Sequence, residues 1–149
     1  QSHLKIMWCL WVKHVLYKKP EEALKYGESM AIITYGMGVH WALNASKQFE
    51  GNVEILDLRT LNPCDDEAIY AAAKRHGKVM VLTEETLKNS FAEAIAGRIQ
   101  KNCFKYLDAP VETIGSANLP AIPLNIGLEK EMLPNADKVA KAIEELLYS

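Results

Sequence analysis

Cysteine is scarce in this sequence, and none of it stands in a metal-binding or redox motif. The three cysteines are Cys9, Cys64 and Cys103, an odd number at wide spacing. Because the chain has neither a CxxC pair nor a Cys/His cluster, a zinc site is not expected. Free thiols suit a reducing compartment, so we expect a cytoplasmic protein whose cysteines are small buried apolar side chains.

An excess of charge of one sign and long apolar runs are absent as well. Seventeen Lys and Arg against nineteen Asp and Glu give a net charge of -2, so the sequence lacks the excess of basic residues typical of nucleic-acid-binding domains. The charge-free run near the start, Ile6 to Val12, has seven residues, whereas a membrane span needs about 20. Lys13 and His14 follow that run where a signal peptide would have its cleavage site. We therefore expect neither nucleic acid nor a membrane as a partner.

The composition is that of a folded domain. The chain has 149 residues, 49% of them hydrophobic and 24% charged, and only 14 are Gly or Pro. Gln1 and Ser2 are expected to be a remnant of tag removal. Trp8 and Trp11 lie in a short apolar segment and are expected to cover another part of this chain or a second copy.

Apolar runs and helical periodicity alternate along the rest of the chain. Strands are predicted at about 30–35, 53–58, 79–83 and 111–115, each followed by a helical pattern. The residues that mark the first and third helices by their spacing are Val39, Ala42, Leu43, Ser46 and Phe49, and Phe91, Ala94, Ile95, Arg98 and Ile99. Ile69, Ala72 and Ala73 are predicted as the buried stripe of the second helix, and Val139, Ile143 and Leu147 are predicted to pack the fourth onto the sheet. Asp65 is predicted to cap the second helix and Gly77 to end it.

This alternation predicts an α/β fold, a three-layer α/β/α sandwich on a mostly parallel five-stranded sheet. Ala23 to Tyr26 is predicted as one antiparallel edge strand, joined by a tight hairpin to the strand at 30–35.

Four short segments reach the carboxyl edge of that sheet, where open α/β sheets bind ligands. They are Gly36–His40, Arg59–Asn62, Thr83–Thr86 and Gly115–Asn118. The first imitates a dinucleotide fingerprint, but Trp41 occupies the place of its third glycine and forbids close helix packing. We therefore interpret the glycines as a tight turn.

The candidate site residues at this edge are His40 and Glu84. His40 falls in the first turn of a helix. It is either a proton-transfer or substrate group or, as we favour, an interface or half-buried histidine. Glu84 and Glu85 are adjacent carboxylates on a strand and are expected to point to opposite faces. Arg59 is expected to form a structural ion pair with Asp57 or an interface contact. No GxSxG, GxxxxGK[ST] or HExxH motif is present.

Several stretches resemble one enzyme family. Residues 56–69, LDLRTLNPCDDEAI, resemble the C-terminal domain of transketolase-like, thiamine-diphosphate-dependent enzymes. The similarity is closest to the β subunit, or the fused α–β form, of the decarboxylating component of 2-oxo acid dehydrogenase complexes. Residues 33–43, 78–85 and 99–123 follow the same pattern in order, and the 2-oxoisovalerate (branched-chain) members are especially similar around 103–110.

The resemblance also implies a division of the chain. WVKHVLYK at 11–18 resembles the last strand of a preceding pyrimidine-binding domain, so residues 1–21 are predicted as a tag remnant and the end of that domain. Residues 22–149 are predicted as the transketolase C-terminal-like domain. Where the family often has His-Glu-Ala-Pro and Gly-Gly-Phe, this chain has Thr83–Thr86 and Asn89–Phe91, and only Glu84 and Phe91 match.

What the resemblance implies for function is a dimerisation and docking domain without catalytic activity of its own. The parent enzyme would decarboxylate a 2-oxo acid oxidatively and pass the acyl group to a lipoyl carrier. Its thiamine diphosphate and Mg²⁺ would be bound by other domains, so no cofactor or metal ligand is assigned here. The implied partners are the other domains or the α subunit, a dimer mate and the lipoyl acyltransferase core.

Two alternatives remain open from the sequence. One is the same domain in transketolase, deoxyxylulose-phosphate synthase or an acetoin dehydrogenase. The other, of a different class, is a stand-alone ligand-binding α/β module.

Overall fold

The computed structural model describes residues 28–49, 51–61, 64–117 and 133–149, and the backbone of 14–18. The strands are β1 (His14–Lys18), β2 (Met30–Thr34), β3 (Val53–Leu58), β4 (Val79–Thr86) and β5 (Glu112–Ser116). The α-helices are α1 (Gly38–Ala45), α2 (Asp66–His76), α3 (Phe91–Cys103) and α4 (Ala136–Leu147). Short 3₁₀ turns, Ser46–Phe49 and Phe104–Tyr106, follow α1 and α3.

The five strands form one sheet in the order β1-β3-β2-β4-β5. β2 pairs in parallel with β3 and β4, and β4 pairs in parallel with β5, while β1 runs antiparallel to β3 at the edge. This confirms the predicted α/β fold with a mostly parallel sheet. Four of the described strands are therefore connected through helices, as parallel pairing requires.

The position of the antiparallel strand was predicted wrongly. β2 has β3 on one side and β4 on the other, so it offers no edge to a hairpin strand before it. The observed edge strand is His14–Lys18, on β3. Ala23–Tyr26, like Trp8 and Trp11, lies outside the described residues.

Two apolar layers enclose the sheet. On one face, α1 and α4 pack over Met30, Ile32, Val53, Ile55, Met80 and Leu82. On the other face, α2 and α3 pack over Ile33, Leu56, Val79 and Val81. The predicted stripe of α4 is confirmed, since Val139, Ile143 and Leu147 are all buried.

The capping signals were also confirmed. The Asp65 carboxylate accepts a hydrogen bond from the Ala68 amide at the start of α2, and Gly77 ends that helix in a left-handed conformation with φ of 70°. The helix predicted from Phe91, Ala94, Ile95, Arg98 and Ile99 is observed as α3. Its buried face is Ala92, Ile95, Ile99 and Cys103, whereas Phe91 is 43% exposed. The helix begins after Ser90, and that start turns Ala92 rather than Phe91 toward the sheet.

Candidate functional site at the carboxyl edge

A pocket of about 310 Å³ opens at the carboxyl edge of the sheet, between α1 and β3. β2 leads into it through Gly36, α1 contributes the exposed His40, and the end of β3 contributes Asp57 with Arg59 just beyond it. Val39, Leu43 and Leu58 form the apolar part of its wall. Two of the four predicted segments thus meet in one place.

Glycine is required where β2 turns into α1. A Cβ on Gly38 would lie 2.1 Å from the Thr34 hydroxyl oxygen, which is too close for any side chain. Gly36 has φ of +60°, and a Cβ there would lie 3.2 Å from Oε1 of Glu84. The turn therefore lets α1 start directly above the strand, in agreement with the tight-turn interpretation.

Glu84 and Glu85 lie on opposite faces of β4, as predicted. Glu84 is exposed and its carboxylate reaches over Gly36 on the α1 side. Glu85 lies on the α2–α3 side, where its Oε1 accepts a hydrogen bond from the Tyr35 hydroxyl at 3.0 Å. His40 and Glu84 are thus both placed at the α1 side of this edge, on either side of Gly36.

Tyr35 was not singled out from the sequence, although it ends the buried run of β2. Burial, together with the neighbouring Glu85 carboxylate, raises the pKa of Tyr35 to about 12, against a smaller lowering effect of the Thr83 hydroxyl. The phenol therefore stays protonated near neutral pH. It can hold Glu85 in place as a hydrogen-bond donor, and it cannot act as a base.

The ion pair between Arg59 and Asp57 was predicted and is confirmed. Nε of Arg59 lies 3.0 Å from Oδ2 of Asp57, and the Asp57 side chain is 8% exposed while that of Arg59 is 53% exposed. The buried carboxylate thereby anchors a cation at the pocket mouth. Beside His40, this arrangement suits contact with an anionic or polar group more than chemistry that must exclude water.

The other two predicted segments also lie together. The Ser116 hydroxyl donates to the Glu84 carbonyl at 2.5 Å, and a Cβ on Gly115 would lie 2.8 Å from the Glu85 carbonyl oxygen. Asn62 and Asn118 lie outside the described residues. Within the described ranges, no group of three or more His, Cys, Asp or Glu is placed to hold a metal ion.

Comparison with known proteins identifies the family. The transketolase C-terminal domain profile matches residues 21–139. The chain belongs to the transketolase C-terminal domain family. This membership confirms the resemblance noted in the sequence.

Two curated relatives are β subunits of 2-oxo acid dehydrogenases. The chain is 39% identical over 123 residues to the 2-oxoisovalerate dehydrogenase subunit beta of Bacillus subtilis, covering 80% of this chain and 38% of that protein. It is 34% identical over 130 residues to the pyruvate dehydrogenase E1 component subunit beta of Rickettsia bellii, covering 85% of this chain and 40% of that protein. The chain thus spans about two fifths of the length of these relatives.

A solved structure supports the fold. The protein described as "Split gene transketolase, inactive beta4 tetramer" superposes with a TM-score of 0.72 at 19% identity, over 91% of this chain and 42% of that one. In the described part of the chain, no helix has the length and apolar character needed to cross a bilayer.

Proposed function

We propose that this chain is the C-terminal domain of the decarboxylating component of a thiamine-diphosphate-dependent 2-oxo acid dehydrogenase, of the β-subunit or fused type. The observation that carries this is the 39% identity to a 2-oxoisovalerate dehydrogenase β subunit, confined to 38% of that protein's length. The parent enzyme would oxidatively decarboxylate a 2-oxo acid, with branched-chain substrates favoured, and acylate a lipoyl carrier.

The domain is proposed to span residues 22–149, in keeping with a family match that starts at residue 21. The strand His14–Lys18, which resembles the end of a preceding domain, pairs with β3 and completes the sheet. A preceding domain would then be tied to this one through the edge of the sheet as well as through the chain.

We propose that this domain alone neither binds the cofactor nor catalyses the reaction. Mg²⁺ needs several oxygen ligands at one point, and the described carboxylates at the carboxyl edge already have other partners or lie apart. Asp57 pairs with Arg59, and Glu85 accepts from Tyr35 on the opposite face from Glu84. The described residues therefore do not fit a diphosphate–Mg²⁺ site, and no catalytic step is derived through it.

The role of this edge is proposed to be that of a rim. His40 and Glu84 are exposed at the carboxyl edge and would line the approach to an active site built by other domains. The outer surfaces of the domain would contact a dimer mate, the α subunit and the acyltransferase core. An open pocket with an anchored cation fits such a boundary role.

A domain exchange tests the proposal. Residues 22–149 replace the matching segment of the Bacillus subtilis β subunit, and the chimera is assembled with its own α subunit and assayed with 2-oxoisovalerate and an artificial electron acceptor. We expect an assembled enzyme with activity within about tenfold of the parent. A folded chimera that fails to associate with the α subunit would contradict the proposal.

Calorimetric titration of thiamine diphosphate with Mg²⁺ into the isolated chain tests the division of labour. The expected result is no saturable heat. Saturable binding at micromolar affinity would refute the assignment of the cofactor to other domains.

A further inference from the structure

A buried polar network lies at the opposite, amino edge of the sheet. Nδ1 of His76 is 2.7 Å from the Ser29 hydroxyl oxygen, and Nε2 of His76 is 2.6 Å from Oε2 of Glu54. The guanidinium of Arg75 donates to both oxygens of Glu54. Ser29, Glu54 and His76 are 6%, 2% and 4% exposed.

The network joins three segments that are far apart in sequence. Ser29 stands where the chain enters β2, Glu54 is the second residue of β3, and Arg75 and His76 end α2. Two other charged side chains near α2 and β4 make their contacts elsewhere. Lys78 donates to the Leu147 carbonyl on the α4 side, and Arg98 pairs with Asp66 at the other end of α2.

The two ring nitrogens of His76 have different partners. A carboxylate only accepts hydrogen bonds, so Nε2 of His76 carries the hydrogen that it donates to Glu54. Nδ1 faces the Ser29 hydroxyl, which donates to it when the imidazole is neutral.

The order Ser, His, carboxylate is also that of a hydrolytic triad. Here, however, each of the three residues is more than nine-tenths buried, whereas the Arg75 side chain is half-exposed. A hydrolytic nucleophile has to be accessible to its substrate, and Ser29 is 6% exposed. The geometry suits a closed connection between segments.

We propose that Ser29 is a positioning residue that holds Nδ1 of His76 while Nε2 of the same ring is held by Glu54, and thereby latches the entry of β2 to α2 and β3. The latch holds the point at which the chain enters the domain. Without the hydroxyl, Nδ1 of His76 is buried without a donor, and the first residues of β2 open more often than the strand interior.

The test combines nitrogen NMR with hydrogen exchange on the isolated chain. Long-range proton–nitrogen correlation spectra report the tautomer of each imidazole, and His76→Gln identifies the signals of His76 among the four histidines. We expect the Nε2–H pattern in the wild type at neutral pH. In Ser29→Ala, we expect the Nδ1 chemical shift within that pattern to change and the amides of Met30 and Ala31 to exchange about tenfold faster.

Two further variants serve as controls. Ser46 is also buried, but its hydroxyl donates to the Leu43 carbonyl in α1, so Ser46→Ala should leave the Met30 and Ala31 amides within about twofold of the wild type. Ser29→Thr keeps a hydroxyl and should restore the Nδ1 chemical shift.

Three results would overturn the latch. An Nδ1–H tautomer in the wild type would do so without any variant. Exchange in Ser29→Ala no faster than in Ser46→Ala would remove the positioning role. Labelling of Ser29 by a fluorophosphonate, abolished in His76→Gln, would make it an accessible nucleophile instead.

Discussion

Replacing Glu54 by Gln removes the one carboxylate on which the amino-edge network depends. Glu54 accepts hydrogen bonds from Arg75 and His76, and its side chain is 3% exposed. The amide of Gln offers one acceptor where the carboxylate offered two, so at least one buried donor loses its partner. Hydrogen bonds to charged groups are worth about 1.5–3 kcal/mol, and Arg75 is half-exposed and can turn to water. We expect a loss of about 2 kcal/mol in the free energy of unfolding.

The loss should depend on pH in a defined direction. Burial works to raise the pKa of Glu54, but the hydrogen bonds from His76 and Arg75 outweigh it and hold that pKa below its ordinary value. A group with a depressed folded pKa adds stability that is present above its unfolded pKa of about 4.3 and is lost as the pH falls through the folded value. The difference between wild type and Glu54→Gln should therefore be present at pH 7 and shrink as the pH falls below about 4.

Urea unfolding of both proteins across this range measures the effect. Glu145→Gln is the matched control, because that carboxylate is 70% exposed and lies 3.9 Å from Lys141 in an i,i+4 pair. The control should change stability by less than about 0.5 kcal/mol. Equal stability of Glu54→Gln and wild type at pH 7, or a difference that does not change with pH, would refute the reasoning.

Two further predictions concern the carboxyl edge. Gly38→Ala should lower the free energy of unfolding by about 1–3 kcal/mol, because its Cβ would meet the Thr34 hydroxyl oxygen at 2.1 Å. Gly97→Ala, whose Cβ has no atom within 4 Å, should raise the free energy of unfolding by about 0.5–1 kcal/mol. Urea unfolding that ranks the two variants the other way would contradict this. In the β-subunit chimera, His40→Ala and Glu84→Gln should each lower kcat/KM less than tenfold with kcat retained, as expected of a rim, and steady-state kinetics showing a hundredfold loss in kcat would make that residue catalytic.

Strand and helix positions could be predicted from the sequence where neighbouring residues alone determine them. The apolar runs at 30–35 and 53–58 cannot be accommodated outside a core, and Asp65 and Gly77 act within one turn of the helix ends that they determine. The pairing of β1 could not be found in this way, because which strand takes the edge depends on the whole order of the sheet. Which face of α3 is buried does not follow from the sequence either, since Phe91 and Ala92 are both apolar and only packing distinguishes them.

The candidate site was predicted in part for the same reason. His40 and Glu84 follow from the rule that ligands bind at the carboxyl ends of parallel strands. The hydrogen bond between Tyr35 and Glu85 joins residues 50 apart, and that between Ser29 and His76 joins residues 47 apart. From the sequence, His76 is one of three basic residues in the last turn of a helix, a position where positive charge is favourable. Its neighbours in the sequence do not indicate that the fold buries it.

Charged side chains are buried at the amino edge of the sheet, whereas several are exposed at the carboxyl edge. At the amino edge, Glu54 and His76 are sealed and Lys78 is 5% exposed, with its Nζ donating to the Leu147 carbonyl at the end of α4. At the carboxyl edge, Arg59, His40 and Glu84 face solvent around an open pocket. Buried charges that lack partners are costly, so the amino edge resists any change that would expose or separate its groups. At the carboxyl edge Arg59, His40 and Glu84 are already exposed, so a covering surface that supplies hydrogen-bond partners can replace their water without breaking contacts inside the domain.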